Sequence, residues 1–517
     1  MSLAETGPQG PSGSLFESKL PSLLTRVSHF LVEQGIQSYI VGGWVRDVLL
    51  GRETADIDLA IGRDALEVAP KVAAILGGKY VLLDEVNRIS RVVIIEREAT
   101  TRVQWYLDFS TFDGTIEQDL ARRDFTVDAM AIDLNELVSD AAKSALIDPF
   151  NGWEDLRQRL IRAVTDTVFA ADPVRLLRAV RLAAELGFTI EKKTEALIKR
   201  DSRLLSSVPG ERVREELVGL LDVPGAGQFL SYLDELGLLT TLIPELAQTK
   251  GVEQPKEHHW DVFQHMIRTV TAAEFLLRQG TWEYDDGRVL EAVPWSDKLA
   301  EHFDNEVSSG STRRAVLKLA ALLHDIAKPQ TKALIDGRTR FLGHGKEGAT
   351  VVVNILERLR FSNKEIKLVE TEVEHHLRPG QMSQEGLPTQ RAVYRYFRDT
   401  GDAGIDILFL SLADHLATRG PDLDLSHWQQ HTSIVEYVLA QQSQEQSIVR
   451  LPKLIDGHDI INIFRIDPGP RVGEVLEAVR EAQASGELKT RGQALDFARR
   501  MLTSSHSLDK DKYEEKG

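Results

Sequence analysis

The 517-residue chain contains no cysteine. Disulfides, thiolate zinc sites and thiol nucleophiles are excluded with it, and any metal has to be held by histidine and carboxylate. Long apolar runs are also missing. None approaches the ~18 residues of a membrane span, and the longest, such as Ala315–Leu323, read as amphipathic helix. The first residues lack the basic, apolar, small-residue order of a secretory leader, so a cytoplasmic protein with no membrane contact is expected. Nor is there an overall excess of positive charge. The formal charge of −17 excludes indiscriminate coating of nucleic acid and leaves only a local basic face open. Such a face exists: between Arg157 and Arg214, thirteen Lys/Arg stand against seven Asp/Glu.

The remainder is ordinary for a globular protein, with 42% apolar and 27% charged residues. The length calls for about two to four domains. Residues 1–14 are rich in Gly, Pro and Ser and are expected to be disordered. An amphipathic helix over Leu20–Gln34, a strand at Ser38–Val41, a helix opening at Gly42-Gly43 and a strand at Ile57–Ile61 follow, then strands at 92–96 and 103–112 and a helix over RRDFTVDAMAI. After Asp148-Pro149 the pattern is helical, with 280–312 reading as an acidic loop. The fold class is therefore α+β, with a mixed sheet and helices first and helices thereafter. Boundaries are expected at 15–160, 161–225, 226–430 and 431–517.

Within VGGWVRDVLLGRETADIDLAI, Asp56 and Asp58 alternate along a strand, so their Cα atoms lie roughly 7 Å apart with both side chains on one face. Neighbouring carboxylates repel unless a cation lies between them, and hard oxygen donors suit Mg²⁺ in phosphoryl transfer. Asp108, in YLDFST, is the candidate third carboxylate from a neighbouring strand. Gly42 and Gly43 let backbone approach a ligand, and a helix opening behind them aims amides at an anion. Arg46 is a candidate for a triphosphate or for an internal carboxylate. In RRDFTVD, a helix would place Asp124 and Asp128 one turn apart, with Arg122 and Arg123 clamping phosphate beside them. A surface salt bridge is the plainer alternative.

Asp172, Arg175 and Arg178 recur at spacings of three. Cytosine and adenine share an exocyclic amine beside a ring-nitrogen acceptor. Asp172 accepting from the amine while Arg175 donates to the ring nitrogen would select C and A and reject U and G, because the wrong base leaves buried polar groups unpaired.

Together VGGWVRDVLLG with DID, DLARRDFTVDAMAID, DPFNGWEDL, DPVRLLRAVRLAAELGF and GERVREEL resemble the head and neck motifs of class II tRNA nucleotidyltransferases, the CCA-adding enzymes and bacterial poly(A) polymerases. The resemblance covers roughly residues 25–225. It implies that Asp56 and Asp58 are the Mg²⁺-binding catalytic pair and that Arg122, Arg123 and Asp124 bind the incoming nucleotide. It further implies that Asp172 and Arg175 read the base, with Glu211, Arg212 and Glu216 bracing them. CTP and ATP would be the substrates, and the tRNA acceptor arm would dock on the basic neck and the tail. The family usually carries Asn at the position of Asp128 and Glu at that of Ala171.

Downstream, EHHWDVFQHMIRTV, LAALLHDIAKP, FLGHGKEGA, VEHHLRP and FLSLADHLATRG resemble the HD phosphohydrolase domain. The resemblance implies His265, His324, Asp325 and Asp414 as core metal ligands, with His344 and one of His375 and His376 added in binuclear members. Imidazole and carboxylate suit Mn²⁺, Ni²⁺, Fe or Mg²⁺. Lys328 is placed to help hold a phosphate. The expected function is template-independent addition of C and A to tRNA 3′ ends, with an accompanying phosphohydrolase. CC-only, A-only or poly(A) addition uses the same chemistry; a different class would be an HD phosphohydrolase whose head merely binds nucleotide or RNA.

Overall fold

The computed structural model describes residues 22–98, 101–139, 145–308, 310–382, 386–448 and 453–514. The segment 1–14, expected to be disordered, lies outside them. The chain divides into two compact units, Met1–Glu216 with Leu233–Leu242, and Leu217–Tyr232 with Ile243–Gly517.

The first unit holds a seven-stranded mixed sheet. Its strands are β1 (Ser38–Val41), β2 (Asp56–Ile61), β3 (Lys79–Asp84), β4 (Ile89–Glu98), β5 (Thr101–Thr111), β6 (Ala131–Asp133) and β7 (Leu146–Ile147), in the order β3-β4-β5-β2-β1-β6-β7. Only β2 and β5 run parallel; every other neighbouring pair is antiparallel. Helix α1 (Ser22–Glu33) precedes β1, and α2 (Gly43–Leu49) follows it directly. Helix α3 (Ala65–Leu76) begins where Asp64 accepts from the Leu66 amide and ends at Gly77, whose φ of 67° suits a residue without Cβ. Its apolar face, Val68, Ala69 and Val72, is buried. The mixed pairing follows from connection length: β4 and β5 form a hairpin, whereas β2 and β5 are separated by enough chain to cross over.

The RRDF segment departs from the expected helix. Residues 121–124 form turns and bends, Phe125 is an isolated bridge, Thr126–Asp128 is a single 3₁₀ turn, and Ala131–Asp133 is strand. Tertiary pairing explains the difference. The Thr126 amide donates to Arg162 O and the Val164 amide to Asp124 O, so Phe125 bridges to Ala163 in an extended conformation. The Thr126 hydroxyl donates to Asp155 at 2.6 Å. Helices α4 (Arg175–Leu186) and α5 (Gly210–Asp222) carry the basic stretch.

The second unit is helical. Its central helices are α6 (Val262–Leu276), α7 (Arg313–Leu323), α8 (His344–Arg358), α9 (Asn363–His375) and α10 (Gly404–Arg419). Asp261 caps α6, Thr312 caps α7, and Ser362 with Glu365 forms a capping box on α9, each worth about 1 kcal/mol. A fully buried Lys318 is satisfied by Glu274 at 3.1 Å and Val223 O at 3.0 Å, while Glu274 accepts from the Ala226 amide at 2.7 Å. Two short elements depart from the expected pattern. The stretch 280–312, expected as loop, contains the helix Asp297–Asp304, started by Ser296 and pinned by buried Phe303 stacked on Trp295. A ribbon, β8 (Lys332–Ile335) with β9 (Arg338–Phe341), turns at Asp336-Gly337, both at positive φ. An Asp-Gly pair is the sequence signal for such a turn.

Between α9, α7 and α10 lies a buried charge group. Arg313 pairs with Asp406 and Asp402, and His302 stands 3.4 Å from Asp406. Neither carboxylate oxygen of the fully buried Glu372 has a hydrogen-bond partner. Burial, and then Asp406, hold its carboxyl protonated well above the usual glutamate range. Its folded pKa exceeds its unfolded one, so its stabilising contribution is complete below the unfolded value and is lost as pH rises through the folded value. Denaturant unfolding of the Glu372→Gln variant is expected to lose this alkaline-side decline in stability. An unchanged pH slope would reject the assignment.

Candidate functional sites

In the first unit, strand register assembles the acidic site. Arg91 of β4, Asp108 of β5, Asp58 of β2 and Val41 of β1 form one row across four strands, and Gly42 follows Val41. Asp56 sits two residues before Asp58 on the same face, more exposed. Burial, then Asp108 against the opposing pull of Arg123, raises the carboxyl of Asp58; Asp56 is raised by burial as well. Three acidic side chains thus gather where burial makes uncompensated charge unfavourable, a donor set that fits divalent cations with oxygen ligands.

Gly42 is required by space and by backbone. Its φ is 70°, and a Cβ there would lie 2.6 Å from Arg123 Nη1 and 3.2 Å from Asp58 Oδ2. At Gly43 the nearest side-chain atom, Arg46 Nη2, would be 3.6 Å away. Arg46 itself is turned inward. It donates to Asp47 through Nε at 2.9 Å and to Asp128 through Nη1 at 2.6 Å. Of its two sequence readings, the internal carboxylate is the one this geometry shows. Arg178 is likewise held by Asp124, with Nε 2.7 Å from Oδ2. Burial opposes the charge on Asp124, but Arg178 and Arg175 outweigh it and keep the carboxyl low. Arg122 is largely exposed beside Asp119, and Arg123 lies 3.6 Å from the same carboxylate.

Asp172 is gripped at both oxygens by Arg212, at 2.9 and 2.7 Å. Arg175 donates to Arg122 O at 3.0 Å and lies 3.9 Å from Asp172, which ties Asp172 and Arg175 to the RRDF turn. Glu216 receives Arg181 at 2.5 Å. Each carboxylate oxygen keeps a second lone pair, so Asp172 can still accept from a base. Glu211 stands on the first turn of α5. Sequence reasoning missed Arg91, which donates to both oxygens of Asp108 at 2.7 and 2.8 Å. Only strand register brings the two together.

The second unit gathers five helices at one point. His265 comes from α6, His324 and Asp325 follow the end of α7, His344 opens α8, His376 follows α9, and Asp414 lies on α10. His265 Nε2 is 3.2 Å from His324 Nε2, 3.3 Å from Asp325 Oδ2 and 3.1 Å from Asp414 Oδ1. On the other side of Asp325, Oδ1 lies 3.2 Å from His344 Nε2 and 3.8 Å from His376 Nε2, and these two nitrogens are 3.2 Å apart. Asp325 therefore bridges two halves of the cluster. Lys328 is 2.5 Å from its Oδ2 and 2.7 Å from Gln254.

The far sides of the rings show what the cluster is for. Nδ1 of His324, His344 and His376 each meets a backbone carbonyl, Ala321 O at 2.9 Å, Phe341 O at 2.6 Å and Val373 O at 2.7 Å. A carbonyl only accepts, so each Nδ1 carries the proton and each Nε2 presents its lone pair to the centre. Lone pairs facing one another at 3.2 Å beside two carboxylates need a positive centre between them. Burial opposes a second proton on His324, yet Asp325 and Asp414 push its pKa up to about 10, the same demand for positive charge at Nε2 that a metal ion would meet; burial, then His324, brings His376 down to about 3. Donors from His265, His324 and Asp414, and from His324, Asp325 and His376, lie mutually within 4.8 Å. The set fits divalent metal.

His375 is corrected. One residue earlier on the helix, it lies half-buried toward Glu374, Arg378 and Asp399, outside the cluster. His258 stands at the edge, its ring 5.5 Å from that of His265, with burial and then Lys328 bringing it to about 4.

Residues 38–162 match the Poly A polymerase head domain and 187–249 the probable RNA and SrmB-binding site of polymerase A. Residues 262–419 match the HD domain, and 346–498 a putative tRNA nucleotidyltransferase domain 2. The chain is 33% identical to the A-adding tRNA nucleotidyltransferase of Deinococcus radiodurans over 468 residues, 89% of this chain and 94% of that protein. It is 33% identical to the CC-adding tRNA nucleotidyltransferase of Thermus thermophilus over 472 residues, 89% and 92% of the two. Among solved structures, a CCA-adding enzyme in complex with ATP shares the fold at TM-score 0.62 and 23% identity, covering 95% of this chain and 98% of that one. The Thermotoga maritima CCA-adding enzyme complexed with tRNA does so at 0.57 and 22%, covering 95% and 99%.

Gly42→Ala is expected to lower nucleotide incorporation by about 100-fold or more, since displacing Arg123 and Asp58 by an ångström disturbs alignment, whereas Gly43→Ala loses far less. Equal losses would show that the close approach at Gly42 is unimportant. Metal analysis of purified protein separates the adjacent histidines: His376→Ala is expected to weaken metal retention at least about tenfold and His375→Ala to retain it. The reverse result would reject the assignment.

Proposed function

The chain belongs to the tRNA nucleotidyltransferase family whose members carry an HD domain, and from that premise we propose that it adds C and A to tRNA 3′ ends without a template, in the cytoplasm. The observation that carries the reading is the row Arg91, Asp108, Asp58, Val41 closing on Gly42. The head is assigned to 15–160, the neck to 161–225, the body with the HD domain to 226–430 and the tail to 431–517. In the reaction the terminal 3′ oxygen bonds to the α-phosphorus of CTP or ATP, the bond to the β-phosphate oxygen opens, and pyrophosphate leaves.

Asp56, Asp58 and Asp108 would hold Mg²⁺, which when bound lowers the pKa of the attacking hydroxyl and neutralises the leaving group. Arg122 and Arg123 bind phosphate, and Asp124 fixes Arg178 beside them. Asp128 holds Arg46 under the glycine pair. Asp172 accepts from the exocyclic amine of C or A while Arg175 donates to the ring nitrogen. Arg212 keeps Asp172 aimed, and Glu216 with Glu211 supports that edge of the neck. The basic stretch of the neck supplies phosphate contacts to the acceptor arm by shape and charge.

The HD cluster is read as a phosphohydrolase, with Mn²⁺, Ni²⁺, Fe or Mg²⁺ on His265, His324, Asp325, His344, His376 and Asp414. A second reading of the product has a specific observation behind it: the two relatives described above, each matched over more than 90% of its length, are named for partial reactions, A addition and CC addition. One assay decides. Transcripts lacking CCA, CA or A are offered CTP and ATP separately and together. Extension of all three to CCA supports full addition, whereas extension of one class alone assigns the partial reaction. Asp58→Ala is expected to abolish every extension and to leave HD-site hydrolysis intact. Retained extension would overturn the proposal.

A further inference from the structure

In the first unit, the sheet face that carries the acidic site continues past it. Directly opposed residues of neighbouring strands share a face. Tyr106 of β5 lies opposite Asp56 of β2 and Val93 of β4, so it stands on the same face as Asp56, Asp58 and Asp108. Two residues further from Asp108 along these strands, Gln104 and Ile95 oppose one another on that face. Val92, Ile94, Leu107 and Phe109, which point the other way, are buried. On the acidic face, by contrast, Ile95 is 45% exposed, and Val93 and Tyr106 are half-buried. An apolar strip thus leads away from the three carboxylates.

The Tyr106 ring is fixed from two sides. Gln104 Nε2 donates to its hydroxyl at 2.6 Å, and the guanidinium carbon of Arg91 lies 4.9 Å from the ring centre. Arg91 in turn holds both oxygens of Asp108, so the ring is tied to the third carboxylate. A ring ordered in advance loses little freedom when something stacks on it. The direction of the reaction says what meets it. On the reading above, the nucleotide phosphates lie at the Gly42 end of the row, beside Arg123. In-line displacement sets the attacking oxygen opposite the leaving pyrophosphate, and the end of the row opposite Gly42 is that of β5 and β4.

We propose that Tyr106 is the platform on which the 3′-terminal nucleoside of the tRNA strand stacks, with Val93 and Ile95 beneath the nucleoside before it. The inference rests on the transferase reading above and adds to it a site for the second substrate. Rows two residues apart along a strand are roughly 7 Å apart, a step comparable to that between successive nucleotides of an extended strand. Every base has a π face, so stacking tolerates any sequence. That tolerance suits a strand end whose identity changes with each nucleotide added. The ring supplies binding and position and no chemistry.

The test uses the full-length protein, its Tyr106→Ala, Tyr106→Leu and Tyr106→Phe variants, and a tRNA transcript lacking CCA. At saturating CTP and ATP, KM for the transcript is expected to rise at least about tenfold in Tyr106→Ala and Tyr106→Leu, the scale of one lost base–aromatic stack, while KM for CTP stays unchanged. Tyr106→Phe, which keeps the π face, is expected to recover most of the loss. Leucine fills the same space without a π face, so a purely structural role would be rescued by it. A parallel rise in KM for CTP, rescue by leucine, or no change overturns the proposal. A transcript ending in 2-aminopurine reads the stack directly: wild type is expected to quench its fluorescence on binding and Tyr106→Ala not to. If wild type extends no transcript, the transferase reading fails and this signal decides the platform. Quenching that Tyr106→Ala loses upholds it; quenching that persists in the variant, or none in wild type, overturns it.

Discussion

Acidic oxygens and imidazole lone pairs are packed closer together than their charges permit unless something positive stands between them. That constraint organises each unit separately. In the first, Asp58 and Asp108 are neighbours in parallel register with Asp56 beside them. In the second, Asp325 bridges two histidine pairs, each with its nitrogens 3.2 Å apart. Such arrangements are unfavourable in a low-dielectric setting when left uncompensated. Their persistence on rigid strands and helix ends marks them as receptacles for cations.

Arginine resolves part of the same problem from within. Arg46, Arg91, Arg178 and Arg212 are each committed to an internal carboxylate at 2.9 Å or less. These pairs orient the acids, and the guanidinium planes hold two oxygens at once at Asp108 and Asp172. Arg122 remains largely exposed.

Backbone does comparable work around the histidines. Three ring nitrogens donate to carbonyls three residues earlier in the chain, at the ends of α7 and α9 for His324 and His376 and at the end of β9 for His344, so local backbone geometry sets the tautomer and aim of each of these side chains. The capped starts of α6, α7 and α9 and the buried Lys318–Glu274 pair hold those helix ends in place.

Much of this was legible beforehand where the signal is local. Alternation fixes Asp56 and Asp58 on one face, Gly42-Gly43 announces a close backbone approach, and the order of motifs identifies the family and the α+β architecture. Local signals misled where tertiary pairing prevails: RRDFTVD has helical spacing, but its backbone pairs with Arg162 and Val164, so it forms turns, a single bridge at Phe125 and one 3₁₀ turn. The ribbon at 332–341 was overlooked although Asp336-Gly337 announces its turn.

The sequence alone determined which side chains were available and their spacing along each element, because strand and helix periods are properties of the backbone. Partners far apart in the chain were decided only by the tertiary structure. Arg91 meets Asp108 through strand register, Arg212 meets Asp172 across forty residues, and His376 rather than His375 enters the cluster because one residue rotates a helical side chain by about 100°. Register and rotation are set by the packing of whole elements, which no short stretch of residues encodes.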